Sequence, residues 1–268
     1  MRDRLLFIVQ LAFTLAIAAF LIVPALLSML AGVTVNYFRG ISSGVTLQWV
    51  FTVWQLYADT IARSLLIAFG TLSVTLAVGI PAAYALHVRS GRAARLIEEI
   101  ITLPLAIPGL AIALALLLSY GGMSAFRLSS LFILAGHVVF TLPFMVRSVM
   151  AVFASIDVKT LDEGAASLGA SPWRRFRDVI VPNAAPGILA GSLMVITLSL
   201  GEFNLTWMLH TPLTKTLPVG LADSYASMRL EVASAYTLIF FVMIIPLLVG
   251  MQLVADRTTR AGAFRVRA

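Results

Sequence analysis

The sequence predicts an all-α polytopic membrane protein with six transmembrane helices. Of its 268 residues, 60% are hydrophobic and only 12% are charged, whereas soluble domains carry about 45–50% apolar and about 25% charged residues. Six stretches stay apolar over the roughly 17–25 residues that a membrane-crossing helix needs. Cysteine is absent, which excludes disulfides, thiolate nucleophiles and cysteine-ligated metal sites.

Each apolar stretch is predicted to form one helix across the membrane. The first stretch follows Arg2 and Arg4, as the core of a signal peptide would. Its apolar run is longer than the about 7–15 residues of such a core, so we expect a retained helix. The six spans are placed at residues 5–30, 60–88, 100–120, 128–153, 186–210 and 232–255.

Positive charge is distributed unevenly between the two sides of these spans. Of the 19 lysines and arginines, 14 fall on one side, and the positive-inside rule places that side in the cytoplasm. Both chain termini are then cytoplasmic. The net charge of +7 does not indicate nucleic-acid binding, because no basic face carries stacking aromatics. The side richer in positive charge holds Arg2, Arg4, Arg89, Arg92, Arg95, Arg147, Lys159, Arg174, Arg175, Arg177, Arg257, Arg260, Arg265 and Arg267.

The longest cytoplasmic segment, residues 154–185, is predicted to hold two short helices. Thr160 and Glu163 have the spacing of a capping box, which starts a helix over residues 161–168. Gly169 stands where a helix end favours left-handed backbone geometry. Ser171 and Pro172 are then the N-cap and first residue of a second helix. Pro182 ends or kinks that second helix.

Small residues in the first of these helices indicate a contact element rather than a spacer. Gly164, Ala165 and Ala166 would let a partner approach the backbone closely. An isolated helix of about eight residues is marginal in water and needs a partner, or packing against its own bundle, to persist.

The same segment resembles the "EAA" loop of ATP-binding-cassette (ABC) importer permeases. That pattern is Glu-Ala-Ala, three residues, Gly, nine residues and Ile-x-Leu-Pro. Here Glu163-Gly164-Ala165 is followed by Ala166, Ser167 and Leu168, then by Gly169, and nine residues later by Val179-Ile180-Val181-Pro182. The spacing matches throughout. Gly164, Val179 and Val181 depart from the pattern, and Gly164 costs up to about 1 kcal/mol of helix propensity against Ala.

The resemblance implies the type I importer permease fold, with residues 1–268 as one transmembrane domain and the core helices at about 60–255. It implies location in a bacterial inner membrane. The sequence is similar above all to the spermidine/putrescine, 2-aminoethylphosphonate, sulfate/molybdate and ferric-iron branches of the family. In that family the loop is a coupling helix that docks on the ATPase subunit. The coupling residues would be Glu163, Gly164, Ala165, Ala166, Leu168, Gly169 and Pro182.

The partners implied by the family are an ABC ATPase dimer, a second permease, a periplasmic solute-binding protein and membrane lipid. The second permease is identical or homologous, and we favour a heterodimer. ATP and Mg²⁺ would belong to the partner ATPase, because this sequence has no Gly-x-x-x-x-Gly-Lys-Ser/Thr phosphate loop. The chain is therefore expected to hold no cofactor and to be no enzyme by itself. A stand-alone secondary transporter or channel is the alternative.

Three arginines of the loop, Arg174, Arg175 and Arg177, match no family position. One interpretation is positive-inside charge that contacts lipid head groups. The sharper alternative is a salt bridge to the ATPase.

Polar residues inside the fifth span are the candidates for the translocation path. Gly201, Glu202 and Asn204 interrupt an apolar helix, and an ionisable group at such depth is expensive. Either Glu202 lines the path or gate, which would suit a cationic or zwitterionic solute, or its carboxyl group holds two helices together. In the third span, Pro108 makes either a gating kink or a static bend. Ser199, Thr206 and His137 are interpreted as structural hydrogen-bonding groups.

Overall fold

The computed structural model is built from helices, as the apolar stretches predict. It describes the backbone of residues 2–89 and 91–265, and the side chains of residues 4–89 and 91–255. The helices in chain order are α1 (Arg2–Ala31), α2 (Gln48–Val88), α3 (Arg92–Thr102), α4 (Gly109–Tyr120), α5 (Ser124–Arg127), α6 (Ser130–Phe153), α7 (Val158–Ser167), α8 (Pro172–Arg174), α9 (Val181–Asn183), α10 (Ala185–Gly201), α11 (Asn204–Leu209), α12 (Leu217–Ala226) and α13 (Leu230–Arg265).

Some cytoplasmic charges predicted from the sequence lie outside the described side chains. They are Arg2, Arg257, Arg260, Arg265 and Arg267. The two chain ends, residue 1 and residues 266–268, are outside the described backbone as well. The predicted cytoplasmic location of both termini therefore stays a prediction.

Four described helices, α1, α2, α6 and α13, are long and apolar enough to cross a bilayer, and up to six spans result if two bent pairs each count as one. The first, second, fourth and sixth predicted spans correspond to these four helices. The second begins at Gln48 rather than at residue 60, and its backbone leaves helical geometry at Tyr57.

The third predicted span, residues 100–120, is not one continuous helix. The segments Arg92–Leu105 and Gly109–Tyr120 meet at an angle of 106°. Pro104 lies in a short 3₁₀ turn, Leu103–Leu105, and Pro108 adopts an extended ψ of 140° immediately before α4. Two prolines within five residues interrupt the helical hydrogen-bond ladder, which accounts for the break.

The fifth predicted span, residues 186–210, is interrupted as well. Glu202 follows α10 with an extended ψ of 112°, and α11 begins after Phe203. Before α10, the segments Pro172–Asn183 and Ala185–Gly201 meet at 72°. The helical segment that contains Pro182 ends one residue later, at Asn183, and the turn comes at Ala184, so the predicted end of the second helix agrees with the structure. A π-helical stretch, Arg175–Ile180, precedes this proline, and such wide turns make room for a proline ring.

The chain falls into two compact units, and the first comprises Met1–Asp59 and Gly220–Met243. Tyr236 is its largest fully buried side chain. A Cβ atom on Gly32 would come within 2.6 Å of the Ala235 backbone, so glycine permits the close approach of the end of α1 to α13. The Trp49 indole N–H donates to the Thr34 carbonyl at 2.9 Å. The connection between α1 and α2 is held by an antiparallel bridge between Thr34 and Val45.

The second unit, Thr60–Val219 and Ile244–Ala268, contains the candidate functional residues. Its α6 and α10 pack closely at two glycines of α10. A Cβ atom on Gly187 would lie 2.5 Å from the Ser148 carbonyl oxygen, and one on Gly191 would lie 2.8 Å from the Met145 sulfur. This is the small-xxx-small arrangement common between membrane helices. Its first apolar cluster consists of Ala83, Met145, Val146, Val149, Phe153, Val158, Ile180, Ala184 and Val195. Its second consists of Ile67, Ile112, Ala113, Phe132, Ile133, Leu205 and Leu209.

Candidate functional site

The helix α7 begins at an aspartate cap. The Asp157 carboxylate accepts from the Thr160 backbone N–H at 3.1 Å and from the Thr160 hydroxyl at 2.6 Å. These bonds favour the ionised form and hold the pKa of Asp157 below its usual range. The predicted capping box of Thr160 and Glu163 is therefore wrong, because Asp157 is the better-placed cap and starts the helix three residues earlier. Glu163 lies 3.8 Å from Lys159 instead.

The end of α7 confirms the special geometry expected at Gly169. Its φ is +82°, in the left-handed region. The Gly169 N–H donates to the Ala166 carbonyl at 2.9 Å, and the Ala170 N–H donates to the Ala165 carbonyl at 3.1 Å. This pair of bonds is the Schellman motif, which satisfies the last carbonyls of the helix.

The start of the second helix is also confirmed. The Ser171 hydroxyl accepts from the Arg174 backbone N–H at 3.5 Å, and Pro172 occupies the first helical position. Both helices of the segment 154–185 therefore begin with a cap that the chain itself supplies.

A three-residue contact joins α7 to the rest of the second unit. Arg175 donates to the Asp162 carboxylate at 2.6 Å, and the Tyr84 hydroxyl donates to the other oxygen of the same carboxylate at 3.2 Å. The Arg175 charge is paired inside the chain, a contact that neither interpretation of the three arginines included. Arg174 and Arg177 remain exposed. No sequence pattern indicates this contact, because an Asp and an Arg that lie 13 residues apart share no helical repeat.

Most of the predicted coupling residues lie on the exposed side of α7 and at its end. Glu163, Gly164, Ala166, Leu168 and Gly169 are exposed, and Ala165 is half-buried. Leu168 is 90% exposed, the largest fraction among the exposed large hydrophobic side chains of the described residues. No atom lies within 4 Å of where a Cβ on Gly164 would be, so the backbone there is open to a partner.

The seventh predicted coupling residue, Pro182, lies in α9 and not on α7. Beside α7 is a cleft of about 300 Å³ lined by His87, Val88, Val158, Lys159, Asp162 and Glu163.

The translocation-path candidates gather where two broken helices meet. Glu202 accepts through Oε1 from the Leu205 backbone N–H at 2.8 Å, so its carboxylate caps α11. The same oxygen would lie 3.5 Å from a Cβ on Gly109, the residue that follows Pro108. The break in the fifth span is therefore in contact with the break in the third. Gly201 and Asn204 are exposed, and Glu202 is half-buried.

His137 fixes the same break from the other side, and its predicted structural role agrees with the contacts. It is fully buried, with Nδ1 2.8 Å from the Ser199 hydroxyl and Nε2 2.8 Å from the Thr206 hydroxyl. Both ring nitrogens are thus satisfied, and α6 is joined to α10 and α11. Sequence reasoning missed Arg127, which donates to the Leu209 carbonyl at 2.7 Å and caps the end of α11.

Comparison with known proteins agrees with the resemblance. Residues 75–260 match the family model described as "Binding-protein-dependent transport system inner membrane component". PhnV of Salmonella typhimurium (strain LT2), named for 2-aminoethylphosphonate transport, is 27% identical over 228 residues, which cover 85% of this chain and 82% of PhnV. The spermidine/putrescine transport system permease protein PotC of Escherichia coli (strain K12) is 26% identical over 265 residues, which cover 95% of this chain and 97% of PotC.

A solved structure supports the fold. A bacterial alginate ABC transporter, in complex with an alginate pentasaccharide-bound periplasmic protein, superimposes with a TM-score of 0.70 at 16% identity, over 97% of this chain and 95% of the other. The fold is that of type I importer permeases. The chain belongs to the family of binding-protein-dependent transport system inner membrane components, as a permease subunit of an ABC importer.

Proposed function

We propose that the exposed side of α7 docks on a cytoplasmic ATPase and transmits the movement of that ATPase to the membrane helices. The observation that carries the proposal is the open surface at Gly164 and Leu168, on a helix of the EAA loop. A leucine that is 90% exposed beside small residues favours a protein partner. Glu163, Ala165, Ala166 and Gly169 would complete the contact, and Pro182 would act near the bend that follows.

The contact of Asp162 with Arg175 and Tyr84 gives this docking a mechanical consequence. It ties α7 both to the second cytoplasmic helix and to the end of α2. A displacement of α7 would therefore move α2 through Tyr84. It would also move α10, because the segment that begins at Arg175 continues through α9 and Ala184 into that helix. Alternating access of the path would follow from such displacements in two permease chains.

The proposed complex contains two ATPase subunits, a second permease, a periplasmic binding protein and surrounding lipid. ATP and Mg²⁺ bind in the ATPase subunits, so this chain is not an enzyme by itself. The second permease is a homologue rather than a copy, by analogy with the family. Both termini lie in the cytoplasm, as the positive-inside rule indicates. Family membership favours this complex over a stand-alone transporter or channel.

The solute is proposed to be small, polar, and cationic or zwitterionic. The single carboxylate at the broken helices, Glu202, is half-buried and lies beside exposed Gly201 and Asn204. A polyamine or an aminophosphonate carries the amino group that such a carboxylate attracts. The relatives named for 2-aminoethylphosphonate and spermidine/putrescine transport are named for solutes of this class, whereas the relative ModB of Azotobacter vinelandii is named for molybdenum transport.

The proposal is tested by pull-down of the detergent-solubilised chain co-expressed with its neighbouring genes. Gly164→Trp adds bulk to the proposed contact at a position where a Cβ atom has open space around it. Gly91→Trp is the matched control, because Gly91 is also exposed on the cytoplasmic side with no atom within 4 Å of its Cβ position. We expect a nucleotide-binding ATPase to co-purify with the wild type and the control but not with Gly164→Trp. If no ATPase accompanies the wild type, docking on an ATPase is refuted.

A further inference from the structure

The helix α3 lies across the direction of the span that follows it. The angle of 106° between Arg92–Leu105 and α4 exceeds a right angle by 16°. If α4 follows the bilayer normal, α3 therefore lies within about 16° of the membrane plane. A helix in that direction does not cross the bilayer but runs along its surface.

Two faces of α3 differ sharply in chemistry. Leu96, Ile97 and Ile100 recur at the spacing of one helical face, and they are 58%, 49% and 56% exposed. Arg92, Arg95 and Glu99 form a second, polar face, roughly 110° around the helix from the apolar one, and are exposed as well. Both faces are thus exposed. Exposure of the leucine and the two isoleucines to water is unfavourable, so this apolar face favours a non-aqueous contact.

Only an edge between the two faces touches the rest of the second unit. Ala94, Glu98 and Ile101 are half-buried along that edge. Ile101 packs against the apolar cluster that also supports the cytoplasmic segment. An edge-on attachment leaves one face free to point into the bilayer and the other free to point into the cytoplasm.

The apolar face continues directly into the membrane. Further exposed large hydrophobic side chains follow α3 in the turn that leads into α4. The apolar surface of α3 is therefore continuous with the apolar segment that leads into α4. The residues of this continuation are Leu103, Leu105, Ile107 and Leu110.

The arginines of α3 are placed where the helix itself does not favour them. Arg92 and Arg95 are in the first turns, whereas the helix dipole favours anions at that end and cations at the other. Among the described side chains, neither arginine is within ion-pair distance of a carboxylate. An external anion beside the first turns would offset both effects.

We propose that α3 lies at the cytoplasmic surface of the bilayer, with Leu96, Ile97 and Ile100 among the lipid chains and Arg92 and Arg95 bound to anionic phospholipid head groups. Basic residues next to an apolar helical face are the combination that binds anionic membranes. The proposal rests on the proposed orientation of the chain, but not on the docking of an ATPase.

The position of α3 is tested with spin labels in the full chain, purified with its co-expressed partners. The chain has no cysteine, so Ile97→Cys and Glu99→Cys each provide one label, on sides of the helix roughly 160° apart. In nanodiscs of phosphatidylglycerol and phosphatidylethanolamine, we expect oxygen to relax the Ile97→Cys label more strongly and a nickel chelate to relax the Glu99→Cys label more strongly. A label at Ile97→Cys that meets neither reagent would show a protein cover, and equal access of the nickel chelate to both would show water. Either result overturns the proposal.

The head-group contact is tested by titrating phosphatidylglycerol into the full chain in mild detergent, with a fluorophore on Ile97→Cys. A basic residue near an anionic surface contributes about fivefold in affinity. We therefore expect Arg95→Gln to raise the phosphatidylglycerol midpoint about fivefold, and Arg92→Gln plus Arg95→Gln to raise it further. Arg39→Gln, an exposed arginine outside the cytoplasmic set, should leave the midpoint unchanged. An unchanged midpoint in Arg95→Gln, or an equal response to phosphatidylcholine, would refute the contact.

Discussion

Asp162 and Arg175 form a contact of 2.6 Å between the Asp162 carboxylate and the Arg175 guanidinium. The two side chains are only 21% and 22% exposed, so water screens this pair less than the other described ion pairs. Because Tyr84 donates to the same carboxylate, three segments meet at one side chain. Asp162 precedes Glu163 of the EAA motif, so the contact holds the proposed docking helix from its inner side.

Removing this contact should weaken the link between ATP hydrolysis and transport. Arg175→Ala leaves a half-buried carboxylate with one partner fewer, and we expect the free energy of unfolding to fall by about 1–3 kcal/mol. In proteoliposomes of the complete transporter, solute moved per ATP hydrolysed should fall more than ATP hydrolysis does. Thermal unfolding in detergent and paired transport and ATPase assays measure the two effects.

The charge-reversed pair supplies the control for this prediction. Asp162→Arg and Arg175→Asp should each be worse than Arg175→Ala, and the double variant should recover part of the coupling. Tyr84→Phe removes only the 3.2 Å bond and should have the smallest effect. A double variant no better than either single variant would mean that the pair has no coupling role.

Local signals in the sequence predicted the turns and caps of the segment 154–185 well. Gly169 and the pair Ser171 and Pro172 have the expected geometry, because a cap depends on residues within one turn of it. The error at Thr160 is also local. Asp157 lies three residues before Thr160 and can accept from its backbone N–H. An aspartate is at least as good an N-cap as the threonine that the capping box would use.

Directions and long-range partners were not predictable from the same reasoning. A hydropathy window counts apolar residues but not the angle between two halves of a span, so residues 100–120 were placed in one helix. Arg127 and Leu209 meet across 82 positions, and no periodicity connects them. One signal was present and not used, since Gly187 and Gly191 have the small-xxx-small spacing that predicts close packing of α10.

Acid should weaken the start of α7. The pKa of Asp157 is lowered by the Thr160 hydrogen bonds, so its contribution to stability is complete above the ordinary Asp pKa and is lost as pH falls through the lowered value. We expect the Thr160 amide to exchange faster with solvent in Asp157→Ala at neutral pH, and Asp157→Ser to keep most of the protection. Hydrogen exchange of α7 in the full chain measures this. Equal protection in Asp157→Ala and wild type would exclude the cap.

The same substitution should have opposite signs at the two glycines of the EAA motif. Gly164 has helical geometry, so Gly164→Ala should stabilise α7 by up to about 1 kcal/mol. Gly169 has φ +82°, where a Cβ atom is strained, so Gly169→Ala should cost about 1–2 kcal/mol. Gly169→Asn should cost less than Gly169→Ala, because asparagine tolerates the left-handed region. Thermal unfolding of the three variants in one detergent compares them, and a stabilising Gly169→Ala would contradict the assigned geometry.

His137 should be important for stability but not for solute recognition. His137→Ala removes both bonds to Ser199 and Thr206, and each buried hydroxyl left without a partner costs about 1–3 kcal/mol. Thr206 retains its 3.1 Å bond to the Glu202 carbonyl, so most of the loss should come from Ser199. His137→Ala plus Ser199→Ala should therefore be less destabilised than the sum of the two single variants. The concentration of binding protein–solute complex that gives half-maximal uptake should stay unchanged in folded His137→Ala, and a large shift would place His137 in the path.

Glu202 has two possible contributions, and a conservative substitution separates them. Glu202→Gln keeps an oxygen that can accept from the Leu205 N–H, so α11 stays capped, but it removes the negative charge. Glu202→Ala removes both the cap and the charge, and should cost about 0.5–2 kcal/mol of stability, as loss of a helix cap usually does. If the charge faces the path of a cationic or zwitterionic solute, Glu202→Gln should transport poorly while unfolding at nearly the wild-type temperature. If the carboxylate is only a cap, Glu202→Gln should transport normally and Glu202→Ala alone should fail. Uptake of labelled putrescine and 2-aminoethylphosphonate, normalised to the amount of folded complex, distinguishes these outcomes.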